Sequence, residues 1–241
     1  MQKEIADKIL RETEQGYDFM ASKFSDTRKF FWRGLEFIGD YAKGGGKILD
    51  FGCGNGRLIE LIGRTENLQY NGVDVSQELI NIASQRYPNQ TFQKINPLQT
   101  TLPFATNYFN TSYSIAVFHH FPSKKYREDI AKELYRITQK DGHIIITAWN
   151  LWQKRYIKNI FKNWSNKIKG STLEFLKVEP SKQLDWNDCH ISFTNNAGNK
   201  FQRFHHAFTK KELKKLFAGV GFEIERCEII DDRNIILIGK K

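Results

Sequence analysis

The sequence predicts an α/β fold built on a parallel sheet, and three observations carry that prediction. A glycine-rich loop, Gly52-Cys53-Gly54-Asn55-Gly56, stands directly between a short apolar strand and an apolar helical stretch. An acidic residue, Asp74, closes the next strand about twenty residues after the loop. Strand-like and helix-like patterns then alternate as far as Trp149. Strand, helix, strand repeats need crossover connections, which give parallel pairing with helices on both sides of the sheet. A chain of 241 residues suits a single domain of this doubly wound kind.

Taken in order, residues 1–43 read as a helical N-terminal arm, ended by the turn signal Gly44-Gly45-Gly46. Lys47 to Phe51 is a short buried strand, and Leu58, Ile59, Leu61 and Ile62 give a helical apolar face after the glycine loop. Tyr70 to Val75 is the second strand. Ser76 is placed to cap a helix carrying Leu79, Ile80 and Ala83, which Tyr87-Pro88 ends. Strands follow at Thr91 to Ile95, Asn110 to Phe118 and His143 to Trp149, with a helix whose buried face includes Ile130, Leu134 and Ile137. These elements make residues 44–149 the core. Residues 150–201 lose clean periodicity and read as a basic and aromatic insertion capping the ligand edge. In 202–241, Thr209 and Glu212 have capping-box spacing before Leu213, Leu216 and Phe217, and strands at Phe222 to Ile230 and Asn234 to Ile238 close the chain.

Composition excludes several classes. A mean hydropathy of −0.55 and the lack of a long apolar run argue against a membrane span. The three cysteines are widely spaced with no CxxC pair, so neither a disulfide framework nor a metal site is signalled, and a reducing cytoplasm fits. The formal net charge of +10 favours a polyanionic partner such as nucleic acid. Lys154, Arg155, Lys158, Lys162, Lys167, Lys169, Lys177 and Lys182 crowd one stretch against only Glu174 and Glu179, interleaved with Trp149, Trp152, Tyr156, Phe161 and Trp164. That mixture suits phosphate attraction with base stacking, and it equally suits an amphipathic helix with buried aromatics and solvated lysines.

The glycine loop has a chemical reading. Glycines let the backbone turn tightly and approach a ligand, and a carboxylate at the end of the next strand can accept both hydroxyls of an adenosine ribose. Here the glycines alternate behind Asp50, unlike the GxGxxG of dinucleotide dehydrogenases. With that pattern the sequence resembles the class I S-adenosylmethionine-dependent methyltransferases, whose first motif is Asp-x-Gly-x-Gly-x-Gly. The resemblance implies a Rossmann-like, mostly parallel seven-stranded sheet with a C-terminal antiparallel strand, and S-adenosylmethionine as cofactor. It implies that Asp50, Gly52, Gly54 and Gly56 line the methionine end, that Asp74 holds the ribose, and that Asn96 and Leu98 flank the adenine; Val75 and Ala116 are further expected cofactor contacts, and Tyr17 is placed to close over the methionine end. Members often have an aspartate ahead of Leu-Pro-Phe where this chain has Asn96-Pro97-Leu98.

Three further segments are similar to the tRNA wobble-uridine carboxymethyl methyltransferases. They are Tyr17 to Arg28 followed by Trp32, Ser114 to Phe121 with its two histidines, and Arg203-Phe204-His205-His206-Ala207-Phe208. The Lys-rich insertion and the tail near Asp232-Arg233-Asn234 depart from that pattern. The narrower resemblance implies tRNA as partner, leaves room for a small activating protein, and makes the acceptor a carboxylate. A carboxylate is ionised at neutral pH and needs orientation more than a base. Arg28 is the expected clamp for it, with His119 and His120 completing the pocket. The alternatives are a surface salt bridge of Arg28 with Asp18 or Asp26, packing histidines, a core Tyr17, a small-molecule acceptor, and an inactive cofactor-binding subunit.

Overall fold

The computed structural model describes residues 1–28, 30–172 and 184–241, with the side chains of 166–172 outside that description. Its main sheet has strands β1 (Gly46–Phe51), β2 (Leu68–Asp74), β3 (Thr91–Lys94), β4 (Phe109–Ile115), β5 (Thr138–Trp149), β8 (Glu223–Ile230) and β9 (Asn234–Lys240). They lie in the order β3-β2-β1-β4-β5-β9-β8. Pairings from β3 to β5 are all parallel, and β9 runs antiparallel to both of its neighbours. This is the predicted seven-stranded sheet with its reversed C-terminal strand.

Successive strand residues feed opposite faces, so the central strands are buried on both sides while the edge strands β3 and β8 stay largely exposed. Leu49, Ile144 and Ile146 join one buried cluster, with Leu134 and Phe217. Ile48, Ile145 and Ile236 join the other, with Ile38 and Ile62. Helices α3 (Gln77–Arg86) and α6 (Lys210–Gly219) start at the predicted caps, where Ser76 Oγ accepts from Leu79 N and Thr209 Oγ1 from Glu212 N, and α4 (Lys124–Ile137) is capped by Ser123, whose Oγ accepts from Tyr126 N.

Several boundaries differ from the prediction: β5 starts at Thr138, five residues ahead of the expected His143, and three further differences bear on the site. The helix after the glycine loop, α2, is a single turn, Ile59–Ile62, because Gly63 ends it at once. Strand β4 stops at Ile115 rather than Phe118: Ala116 sits at φ +62° and the chain enters a short 3-10 turn, Phe118–His120. The insertion does not end at 201, since β7 (Lys200–His206) crosses that point and pairs with β6 (Asp188–Thr194) in a separate antiparallel hairpin.

Helix α5 (Ile157–Thr172) and the hairpin form a cap with a small core of its own, in which Leu151, Ile160, Cys189 and Ile191 pack with Trp149, Trp152, Tyr156 and Trp164. Lys154, Arg155, Lys158 and Lys162 face solvent. The basic stretch is therefore, over its described part, an amphipathic arrangement that half-buries Trp149, Trp152, Tyr156 and Trp164 and leaves Phe161 exposed. Its remaining members, the side chains of Lys167 and Lys169 and residues Glu174, Lys177, Glu179 and Lys182, fall outside the described residues. The N-terminal arm is helix α1 (Lys3–Thr27), then a 3-10 helix over Glu36–Ala42. Helix α1 crosses β7 so closely that a Cβ on Gly16 would meet the Phe201 ring at 2.0 Å.

Candidate functional site

Strand order reverses between β1 and β4, and crevices outside the carboxyl ends of strands at such a switch point are where open α/β sheets bind ligands. A cavity opens there. Its floor is the glycine loop with the ends of β2 and β4, and α1 and the hairpin strand β7 lie over it.

One half of the cavity is built by the glycine loop. Gly52 and Gly54 take φ of +78° and +55°, and a Cβ on Gly52 would strike Val117 at 2.2 Å. Only glycine keeps this wall open. Asp74 lies on the wall with a buried carboxylate that accepts Gly54 N–H at 2.8 Å on one oxygen and Ser76 N–H at 2.9 Å on the other. Burial raises its pKa and the backbone donors oppose that rise. Each oxygen keeps a lone pair for a ligand hydroxyl. Val75, Leu79, Ile95 and Pro97 form an apolar slot beside it, with Asn96 at the rim. A vicinal diol next to a flat apolar slot matches an adenosine, so the residues present fit the expected cofactor.

Three of the expected cofactor contacts lie off this surface. The Asp50 carboxylate is buried beneath the loop, where it accepts Tyr70 OH at 2.7 Å, and burial pushes its pKa up to about 7. Gly56 faces the rings of Tyr87 and Phe92. Leu98 packs toward the main core, with its N–H donating to Asn96 Oδ1 at 2.9 Å, so its part in this site is to hold the Asn96 turn. Tyr17, Gly52, Gly54, Asp74, Val75, Asn96 and Ala116 do line the cavity.

The other half gathers Tyr17, Arg28, His119, His120, Trp149 and Arg203. His120 is held at both nitrogens: Nδ1 lies 3.1 Å from the Phe204 carbonyl, and Nε2 lies 2.7 Å from Tyr17 OH. The carbonyl can only accept, so Nδ1 carries the proton and Nε2 accepts from Tyr17. Burial and the charge of Arg203 push the His120 pKa down to about 3. His119 Nδ1 accepts Trp149 N–H at 3.3 Å, and burial, followed by its imidazole neighbours, holds His119 well below the ordinary histidine range. A neutral ring that accepts at Nδ1 must carry its proton at Nε2, and that buried Nε2–H has no partner among the described residues. The two histidines are thus a positioning group for Tyr17 and a free donor, not an acid-base pair. His205 stacks on His119 at 7° between planes, so the two rings do not converge on a common point in their planes. His206 turns away, between Asp188 at 2.7 Å and Glu212 at 2.8 Å.

Arg28 makes no salt bridge with Asp18 or Asp26. Asp18 instead accepts from Ser76 Oγ at 2.7 Å and Glu78 N at 3.1 Å, while Arg28 lies over the Phe24 ring at 4.3 Å. Burial lowers its pKa, and the charge of Arg203 lowers it further. Arg203, only 4% exposed, rests against Trp149 and Phe193, and its Nε has no partner. Among the described residues neither arginine forms an ion pair. Sequence reasoning assigned no role to Arg203 and passed over Arg57, which lines the cavity over Trp32 at 3.7 Å. Arg203 stood within the third family-like segment, where its alternation along β7 could have marked it as inward-facing.

Residues 49–146 match the family described as a methyltransferase domain. The tRNA (carboxymethyluridine(34)-5-O)-methyltransferase of Schizosaccharomyces pombe is 28% identical over 211 residues, covering 87% of this chain and 88% of that protein. The Arabidopsis thaliana protein of the same name is 31% identical over 133 residues, which cover 55% of this chain and only 31% of that protein. Among solved structures, a SAM-dependent methyltransferase from Methanosarcina mazei superposes with a TM-score of 0.67 at 20% identity, covering 88% of this chain and 98% of that one.

Proposed function

We propose that this chain, which belongs to the S-adenosylmethionine-dependent methyltransferases, methylates the carboxylate of a 5-carboxymethyl-type wobble uridine in tRNA. The observation that carries the proposal is the pair of arginines, Arg28 and Arg203, that share the acceptor half of the cavity without an ion pair among the described residues. A buried, unpaired charge costs several kcal/mol, and two like charges facing one cavity raise that cost. An anionic acceptor removes it. The curated relatives named above act, by their names, on carboxymethyluridine in tRNA, which supplies such a carboxylate.

When bound, the cofactor supplies an electrophilic methyl group on a sulfonium: as the new O–C bond forms, the C–S bond breaks and its electron pair stays on sulfur. The rest is positioning. Asp74 and the Gly52 to Gly54 backbone hold the nucleoside and the methionine end. Arg28 and Arg203 grip the acceptor carboxylate with charge-assisted hydrogen bonds, and His119 Nε2–H donates to the oxygen that is not attacking. Tyr17, fixed by His120, closes the wall between the two ligands and excludes water. No base is required, because the acceptor arrives ionised. The neutral histidines fit that requirement.

The test incubates the purified protein with methyl-labelled S-adenosylmethionine and total tRNA carrying carboxymethyluridine, then identifies labelled nucleosides by mass spectrometry. A base-labile methyl ester on the modified uridine is the expected product. Label on another nucleoside, or only in a small carboxylic acid pool, would overturn the tRNA reading. Cofactor binding with no labelled product from either pool would instead favour an inactive subunit.

A further inference from the structure

A substrate as large as tRNA must leave most of its mass outside the cavity, and the surface beside the mouth has its own character. Helices α4 and α6 pack side by side on one face of the sheet and enclose a groove. Each starts near the ligand edge: α4 begins at Lys124, just past cavity-lining Phe121, and α6 at Lys210, just past the strand that carries Arg203. Both helices therefore lead away from the cavity. Along α4 the groove presents Lys124 and Lys132, separated by about 12 Å of helix. Along α6 it presents Lys211 and Lys215, about 6 Å apart.

The local acids neutralise one end of this row and leave the rest. Glu128 is 3.6 Å from Lys124, and Glu212 is taken by His206 at 2.8 Å and by Arg127 at 3.9 Å. Arg127 is itself buried, donating to the Phe121 carbonyl at 2.9 Å, and belongs to the groove's floor. Lys132, Lys211 and Lys215 are exposed and form no ion pair among the described residues. The apolar side chains at the groove are Phe208, Leu216 and Val220; the one aromatic among them is fully buried, so none of the described residues lining the groove offers a ring for a base to stack on. Spaced cations without stacking platforms suit the phosphates of a paired stem rather than unpaired bases.

We infer that the α4–α6 groove is the docking surface for the sugar-phosphate backbone of the RNA whose nucleotide enters the cavity, with Lys132, Lys211 and Lys215 as its phosphate contacts. This rests on the tRNA reading above, and it places stem contacts on the core domain rather than on the basic cap. The experiment measures tRNA affinity against salt for the wild type, for K132E/K211E/K215E, and for K154E/K158E/K162E on the cap. K132Q/K211Q/K215Q serves in case charge reversal impairs folding, and S-adenosylhomocysteine binding reports the folded site in each protein. The groove variants should bind tRNA at least tenfold more weakly, and the slope of log K against log salt should shrink by about 2 to 3, close to one unit per lost phosphate contact. The cap variant should lose less on both counts. Wild-type affinity and slope in folded groove variants, or a larger loss in the cap variant, would overturn the groove assignment. A wild-type protein that neither binds nor methylates tRNA would overturn the tRNA reading itself, which the labelling test reads separately.

Discussion

Replacing Arg203 with methionine should separate stability from catalysis in a way few buried substitutions do. Methionine keeps a long apolar side chain against Trp149 and Phe193, which now meet the guanidinium at 5.4 and 4.9 Å, and removes the charge. That guanidinium is 4% exposed and has no ion pair among the described residues, so its burial opposes folding, and the two ring contacts offset most of that cost, about 1 to 2 kcal/mol. The net expectation is a protein as stable as the wild type or up to about 1 kcal/mol more stable, a rise in Tm of about 2–4 °C for a chain of this size. Catalysis should move the opposite way. Charge-assisted hydrogen bonds to a carboxylate are worth about 1.5–3 kcal/mol, so kcat/KM should fall by about 10- to 150-fold at saturating cofactor. Urea unfolding and initial rates of ester formation, run on the same preparation, give both numbers. A stability loss above about 2 kcal/mol with cofactor binding impaired in parallel would make Arg203 a structural residue, and a wild-type rate would remove it from the acceptor site.

Asp74→Asn leaves one of the two backbone donors, Gly54 or Ser76, facing an amide NH2, and should weaken S-adenosylhomocysteine binding at least tenfold in calorimetry, about 1.4 kcal/mol or more. With the cavity histidines held neutral, the rate should show no histidine titration between about pH 5.5 and 8, whereas a break in that range that disappears in His119→Gln would return a base to the mechanism. His119→Gln should retain more activity than His119→Leu, because the amide can replace the free donor. Gly16→Ala would ordinarily help a helix by about 1 kcal/mol, but the Phe201 ring occupies the space, and a net destabilisation of about 1–3 kcal/mol should appear in urea unfolding. Asp50 stays protonated up to about pH 7 when folded and ionises near pH 4 when unfolded, so its proton is released on unfolding between those values. Stability should therefore fall as pH rises through that window, by up to about 1.4 kcal/mol per unit, and Asp50→Asn should flatten the slope.

The cofactor half was legible in the sequence because its determinants are local. The alternating glycines and the Ser76 cap sit within a few residues of what they shape, and Asp74, although it reaches Gly54 twenty residues away, is marked by its place at the end of the strand next to the loop's own. The acceptor half was legible only in part. His119 and His120 are neighbours in sequence, yet one is a free donor and the other a prop for Tyr17, because Trp149 N–H and the Phe204 carbonyl fix their tautomers from far along the chain. Asp18 looked like a partner for Arg28 by proximity, but α1 packs on α3 and takes it to cap that helix instead. Boundaries failed where backbone conformation overrode composition, as at Ala116, whose apolar surroundings suggested that the strand continued. The hairpin of β6 and β7 was hidden because its pairing is a contact between segments that each look irregular alone.

The family match ends at residue 146 and starts at 49, and the cavity straddles both limits. The glycine loop and Asp74 lie inside the matched segment, while Tyr17, Arg28, Trp149 and Arg203 lie outside it, on an N-terminal helix, on the end of β5 and on a hairpin. The matched segment also carries His119 and His120, so what lies outside it is one part of the second half of the cavity, its arginines and Trp149. Substitutions at Arg203 on the hairpin should change the second half of the cavity while leaving the glycine loop and Asp74 intact, whereas those in α1 would also reach the first half, where Leu10, Thr13 and Tyr17 line the wall and Asp18 accepts from Ser76 Oγ. Chimaeras that exchange only the hairpin between relatives are therefore the natural place to seek altered acceptor choice.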